Sequence, residues 1–391
     1  MKKFYLLFLV TLVAGILTAC TEAASDLSAE KASSEQQDDK KEEKKDDEET
    51  KKEEKARDDE ETLKEEKAEE EKSEEQDTPA QPFKALEPSK DAKPLNETLT
   101  EEELAKMPAA QAQGGDRTRN TPAGQTLIKG NVDKTDGPLK NNRIVAFYGH
   151  PQSTNMGILG EMEPDALMAK LKEQTQEYSN VDPTRPAIPM IELIATVAQR
   201  NPGGNGKYYH VTSEKDIQKY ADLAKENNAL LMLDVQLGQD TPLHQVKLLE
   251  KWLKLPYVHL AIDPEFHVTD GQTPGLDLGQ VDGKEVQEAV EYVSDLVEEN
   301  NLPPKIVVVH QFMDKMITNK KAIKPADNVQ VVLNFDGHGP SASKMSLYGK
   351  FVRNESVQYG GFKVFYKKEK PVLTPEEILK LDPNPAIINY Q

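Results

Sequence analysis

The chain has one cysteine and one tryptophan among 391 residues, an aromatic fraction of 6% and a hydrophobic fraction of 37%. The lone cysteine, Cys20, excludes an intrachain disulfide and any cysteine-built metal centre. So little apolar material excludes one core spanning the whole length. Basic excess is also missing: 49 Lys+Arg face 68 Asp+Glu, a formal charge of -19. With no basic stripe to displace counterions from phosphates, no nucleic-acid partner is expected. The shortages are local. Phe83 is the only aromatic residue between Phe8 and Phe147, whereas the sequence after Lys140 is ordinary globular sequence. One folded domain behind one long tail follows.

The first residues read as an export signal. Lys2 and Lys3 precede an apolar run from Phe4 to Leu17, too short for a comfortable membrane span. The run ends in Leu17-Thr18-Ala19-Cys20, which resembles the lipobox of bacterial lipoproteins. That resemblance implies a signal peptide over residues 1–20, lipidation of Cys20, and a mature chain anchored by its acyl chains to the extracytoplasmic face of the cell membrane. Residues 21–138 are expected to be a disordered or partly helical spacer, a solvated single helix or coiled coil in its charged part. Between Asp38 and Asp77, 22 acids and 11 bases make 33 of 40 residues charged. No packed core forms from such a composition. From Thr78 to Gly137 charge thins, and only Glu101 to Met107, after Thr100, reads as a capped helical turn.

Residues 139–391 match the length of a (β/α)8 barrel, about 250 residues. Strand-like runs at 143–148, 189–195, 230–235, 258–262, 306–309, 329–335 and 362–365, with 386–390 as an eighth, alternate with amphipathic stretches. The clearest of these are Pro164–Tyr178, Glu214–Asn227, Gln245–Leu255 and Lys284–Glu299. Such alternation predicts a parallel sheet with crossover helices. An open doubly wound sheet is the runner-up, but no G-x-G-x-x-G or Walker loop accompanies it, and no H-E-x-x-H is present. No cofactor and no metal site are therefore read from the motifs.

A barrel of this kind builds its site at the C-terminal strand ends, where this sequence repeatedly places polar residues. Glu192, Asp234, Asp263, Glu265 and Asp336 are the candidate catalytic carboxylates. Tyr148, His150, Gln236, His310, Gln311, Asn334 and His338 are candidate ligand-binding residues. Period-two alternation puts Asp234 with Gln236, Asp263 with Glu265, and Asn334 with Asp336 on common faces. It also assigns Leu260, Ile262 and Phe266 to the helix-facing side of their strand. Trp252, His210, His244 and His259 read as packing or surface residues.

Ala261-Ile-Asp-Pro-Glu265 resembles the Asp-x-Glu that ends the fourth strand of chitinase-like and some lysozyme-like barrel glycosidases. The resemblance implies Glu265 as the acid and Asp263 as its partner, but the family's further aspartate is Ala261 here. Phe147-Tyr-Gly-His-Pro151, Gly157-Ile-Leu-Gly-Glu161, Glu192-Leu-Ile-Ala-Thr-Val-Ala198, His310-Gln-Phe312, Met316-Ile-Thr-Asn319 and Asp336-Gly-His-Gly-Pro340 resemble a family of exported Gram-positive proteins without an assigned activity. Three function classes stay open: a hydrolase of cell-wall or extracellular glycan; a metal-assisted phosphodiester or ester hydrolase using His150, His310 or His338; and a non-catalytic ligand-binding or wall-associated lipoprotein. The low aromatic fraction favours the last over a glycan processor, since sugar faces usually meet aromatic platforms.

Overall fold

The computed structural model describes residues 82–94, 100, 133–353, 355 and 357–391, all within one compact unit, Glu75–Gln391. The export signal, Cys20, the charged block at 38–77 and the turn at Glu101–Met107 lie outside the described residues. Eight parallel strands form a closed barrel. They are β1 (Arg143–His150), β2 (Ala187–Ala198), β3 (Leu230–Gln236), β4 (Val258–Asp263), β5 (Lys305–Gln311), β6 (Val329–Phe335), β7 (Tyr359–Val364) and β8 (Ile387–Tyr390). Each strand pairs with the next, and β1 closes the ring by pairing with both β2 (Arg143 opposite Ala187) and β8 (Ile144 opposite Ile387). The barrel expected from the alternation is present, and all eight expected strands contribute to it.

Crossover helices form where apolar residues recur every three to four positions and a cap is available. In α1 (Pro164–Val181), Leu167, Met168, Leu171, Thr175 and Tyr178 make the buried stripe. In α2 (Glu214–Glu226), the Ser213 side chain accepts from Asp216 N–H at the N-terminus, and Ile217, Tyr220, Ala221 and Ala224 face the barrel. The amphipathic stretch 245–255 divides at Leu249 into α3 (Pro242–Leu248) and α4 (Glu250–Leu253), with Trp252 buried. α5 (Gly283–Glu299) starts in a capping box between Asp282 and Glu285, and α6 (Ser341–Tyr348) and α7 (Pro375–Leu379) follow β6 and β7. Between β5 and β6 the crossover holds no α-helix, only a two-residue strand, Ile317–Thr318, and a 3-10 turn, Lys320–Ala322.

Packing on the barrel begins before the boundary expected at residue 139. At the N-terminal strand ends, Asp133 is 4% exposed and its carboxylate accepts from Gln330 Nε2 at 2.5 Å, Tyr359 Oη at 2.6 Å and Thr135 N at 2.8 Å. Farther back, Phe83 and Ala85 pack against the core, while Lys84 N donates to Asn228 O at 3.0 Å and Leu86 N to Ala187 O at 2.8 Å. Composition could not reveal this, because it rests on two apolar side chains and one carboxylate set in polar sequence. Replacing Asp133 by Ala removes the carboxylate shared by three buried donors and is expected to cost about 2 kcal/mol, read as a lowered urea midpoint. An unchanged midpoint would show that these contacts do not hold the barrel floor.

Candidate active site at the barrel mouth

Alternation along each strand sends every second side chain into the barrel. In the upper half those inward positions are polar on strand after strand: Tyr148 on β1, Glu192 on β2, Asp234 and Gln236 on β3, Asp263 on β4, His310 on β5, Asn334 on β6, Lys363 on β7 and Asn389 on β8. The register supports the grouping, since Tyr148 is level with Glu192, Gln236 with Asp263, His310 with Asn334 and Lys363 with Asn389. Glu192, Asp234, His310, Asn334 and Asn389 are completely buried. Above them, Tyr148, Gln236, Asp263, Asp336 and Lys363 keep slight access to solvent.

His310 is the centre of the deeper group. Its Nε2 lies 3.0 Å from Glu192 Oε1 and 3.9 Å from Asp234 Oδ1, and its Nδ1 lies 3.6 Å from Asp336 Oδ2 and 3.0 Å from Asn334 Nδ2. Asn389 donates to the other Glu192 oxygen, and Tyr148 Oη donates to Asp234 Oδ2 at 3.3 Å. Burial works against a charged imidazole, but the hydrogen bond and charge of Glu192, with the charge of Asp336, outweigh it and raise the His310 pKa to about 9. Burial pushes Asp234 up to about 7, with His310 opposing and Glu192 adding to the rise. Tyr148 stays a neutral donor because burial and the charges of Asp234, Asp263 and Glu192 hold its pKa well above the usual phenol value.

A pocket of about 610 Å³ opens above this group, with Tyr148, Gln236, Asp263, Glu265, Asp336 and Lys363 in its wall. Strand β4 ends at Asp263 and the chain turns into a 3-10 helix, Pro264–Phe266, in which Asp263 Oδ1 accepts from Glu265 N at 3.1 Å. The turn keeps Glu265 at the mouth. It also breaks the alternation, so Phe266 lines the pocket instead of facing the helices. Burial, then the negative charges of Asp263 and Asp336, push the Glu265 carboxyl up to about 8, and burial with Asp234 pushes Asp263 up to about 7. Lys363 Nζ lies 3.4 Å from the centre of the Tyr148 ring, a cation set among these acids.

The low overall aromatic content misleads about this surface. Tyr148, Phe266, Phe312 and Phe365 all line the pocket, and His338 stands edge-on to Phe365 with ring centres 5.7 Å apart. Of the expected ligand-binding residues, His338 reaches the pocket rim and is exposed. His150 does not join the carboxylates: its Nε2 pairs with Thr212 Oγ1 at 3.2 Å and its ring stands edge-on to His210. Gln311, one position past inward-facing His310, turns to the other side of β5 and donates to Met313 O at 3.1 Å. Two inward residues escaped the sequence reading, Lys363 and Asn389. The available signal was a polar residue inside an otherwise apolar strand run, in Phe362-Lys-Val364 and Ile387-Ile-Asn-Tyr390.

No protein-family model matches the chain, and no curated protein sequence matches it. Among solved structures, a crystal structure of a candidate alpha-L-fucosidase from Bacteroides thetaiotaomicron matches with 10% sequence identity over 64% of this chain and 86% of that one, at a TM-score of 0.36. A likeness at that score carries no argument about chemistry. The barrel assignment stands on the closed hydrogen-bonded ladder itself.

Gly361 on β7 makes room for the deeper group: a Cβ there would sit 2.4 Å from Asn334 Oδ1, on a side chain already engaged with His310. Gly361→Ala is expected to destabilise the fold by about 1–3 kcal/mol, measured by urea unfolding. The loss should shrink when Asn334→Ala is added, since the pair shares one space. Strict additivity would show that the two residues do not compete.

Proposed function

We propose that this chain is an exported, lipid-anchored hydrolase of cell-wall or extracellular glycan, with Glu265 as general acid. The observation that carries the reading is the state of Glu265. It is a carboxyl on the wall of a pocket of about 610 Å³ at the barrel mouth, with its pKa pushed up to about 8 and therefore protonated at neutral pH. In glycoside hydrolysis one carboxylic acid protonates the departing glycosidic oxygen as the C1–O bond breaks, and a second carboxylate supports the positive charge that develops at C1. Asp263 holds the Glu265 turn through the backbone, and Asp336, in the same pocket wall, supplies the second carboxylate. The aromatic wall gives the sugar ring an apolar face to rest on. Leu17-Thr-Ala-Cys20 supports placement at the extracytoplasmic membrane surface, where such a glycan is met.

The test is reducing-end release from purified wall glycan across pH. Turnover should fall as pH rises through about 8, where Glu265 loses its proton. Glu265→Gln should lower kcat by about 100-fold or more while glycan binding survives. Binding with no release by wild type at any pH would favour the ligand-binding reading and overturn the enzymatic one.

The same carboxyl makes a stability prediction. Its pKa is about 4.5 when exposed and about 8 in the fold, so both states are protonated at low pH and only the unfolded state ionises between those values. Glu265 therefore weighs increasingly against folding as pH rises through that window. Glu265→Gln should match wild-type stability at pH 4 and exceed it by at least about 1 kcal/mol at pH 9, by chemical denaturation at both pH values. Equal stabilities at pH 9 would show that the carboxyl ionises freely.

A further inference from the structure

Beneath the pocket floor, three potential ligand atoms from three different strands converge. One nitrogen of His310 and one carboxylate oxygen each of Glu192 and Asp234 lie within 4.8 Å of one another, and all three residues are completely buried. Their strands β2, β3 and β5 belong to a closed ladder, so the spacing is fixed by the barrel. A single proton does not serve this arrangement well. The Nε2–H of His310 reaches Glu192 at 3.0 Å, but Asp234 Oδ1, at 3.9 Å, is beyond hydrogen-bond range. Asp234 Oδ1 is buried without any hydrogen-bond partner, and so are Asn334 Oδ1, Asp336 Oδ1 and Asn389 Oδ1 around it. Buried oxygens nearly always find donors. Four that do not, grouped around two carboxylates and one imidazole, mark a place short of positive charge.

We propose that Glu192, Asp234 and His310 form a binding site for one divalent first-row transition-metal ion. A dication balances the two carboxylates, which one imidazolium cannot, and it contacts Asp234 as well as Glu192. The mixed set of two oxygens and one imidazole nitrogen fits Zn²⁺ or Mn²⁺ better than Ca²⁺, which takes six to eight oxygens. Binding displaces the proton on His310 Nε2, which leaves to solvent, and the lone pair so freed binds the ion. The remaining ring proton then sits on Nδ1, facing Asp336 Oδ2 at 3.6 Å and Asn334, whose amide presents its unpartnered Oδ1 once turned over. An acceptor behind a ligating histidine is the usual way its tautomer is fixed. Because the three ligands lie beneath the pocket and not in its wall, the ion acts as a clamp on three strands and sets the charge under Asp263. This site does not depend on the glycan reading.

The test uses the full-length chain, stripped with chelator and desalted, then titrated separately with Zn²⁺, Mn²⁺ and Ca²⁺ by calorimetry, with thermal melting in parallel. Asp234→Asn, close in shape, carries the same acidic spacer and so subtracts its weak binding. We expect one tight equivalent of Zn²⁺ or Mn²⁺ per chain and a rise in Tm, with affinity at least 100-fold lower in Asp234→Asn and in His310→Ala. Glu265→Gln should bind the ion as wild type does, which separates this site from the proposed acid. A Co²⁺-loaded sample should show visible d–d absorption that His310→Ala loses. Absence of a tight equivalent, or one that survives Asp234→Asn unchanged, would overturn the site.

Discussion

Excess negative charge held inside a closed barrel is the constraint on which the upper half of this structure depends. Glu192, Asp234, Asp263 and Asp336 point inward from separate strand ends, and Glu265 joins them from the turn after β4. His310 and Lys363 are the cations set among them. Burial raises the cost of every one of these charges. The protein answers in three ways: an imidazole bonded to Glu192, a lysine laid on the Tyr148 ring, and carboxyls whose protons are retained far above their ordinary range. That last response gives the mouth a carboxylic acid at neutral pH, which carboxylates in open solvent do not provide.

The polar interior has two levels. The deeper one is closed to solvent, with His310 hydrogen-bonded to Glu192 and Asn334 and the Asn389 amide donating to Glu192. The upper one lines a pocket with aromatic walls and holds Glu265, whose carboxyl pKa is pushed up to about 8. Lys344, buried behind β7, pairs with Glu369 and donates to Lys363 O at 2.5 Å, fixing the strand that carries the upper lysine. For the proposed acid role such anchoring would matter, since acid catalysis requires the donor within hydrogen-bond reach of the leaving oxygen.

Much of this was legible in the sequence, for physical reasons that can be named. Eight β-rich runs, alternating over much of their length with amphipathic stretches, leave few ways to close a sheet, and period-two alternation brings Glu192, Asp234, Asp263, His310 and Asn334 to one interior. What failed did so where local pattern gives way to tertiary contact. Pro264 ends the strand and starts a turn, so alternation placed Phe266 on the wrong side. Gln311 adjoins an inward residue and therefore points outward, and His150 finds Thr212 before any carboxylate. Lys363 and Asn389 were missed because one polar residue in a short apolar run looks like noise until the barrel closes around it. The contribution of Asp133 and Phe83 was hidden by the polar composition around them.

The account rests on Glu265 keeping its proton at neutral pH. The most direct measurement is a site-resolved titration of that carboxyl by carbon-13 NMR of side-chain-labelled glutamate, with Glu265→Gln to assign the resonance. The account predicts a midpoint near pH 8, as burial and the charges of Asp263 and Asp336 require. A midpoint near 4.5, the ordinary value for glutamate, would contradict it and remove the acid on which the proposed chemistry depends.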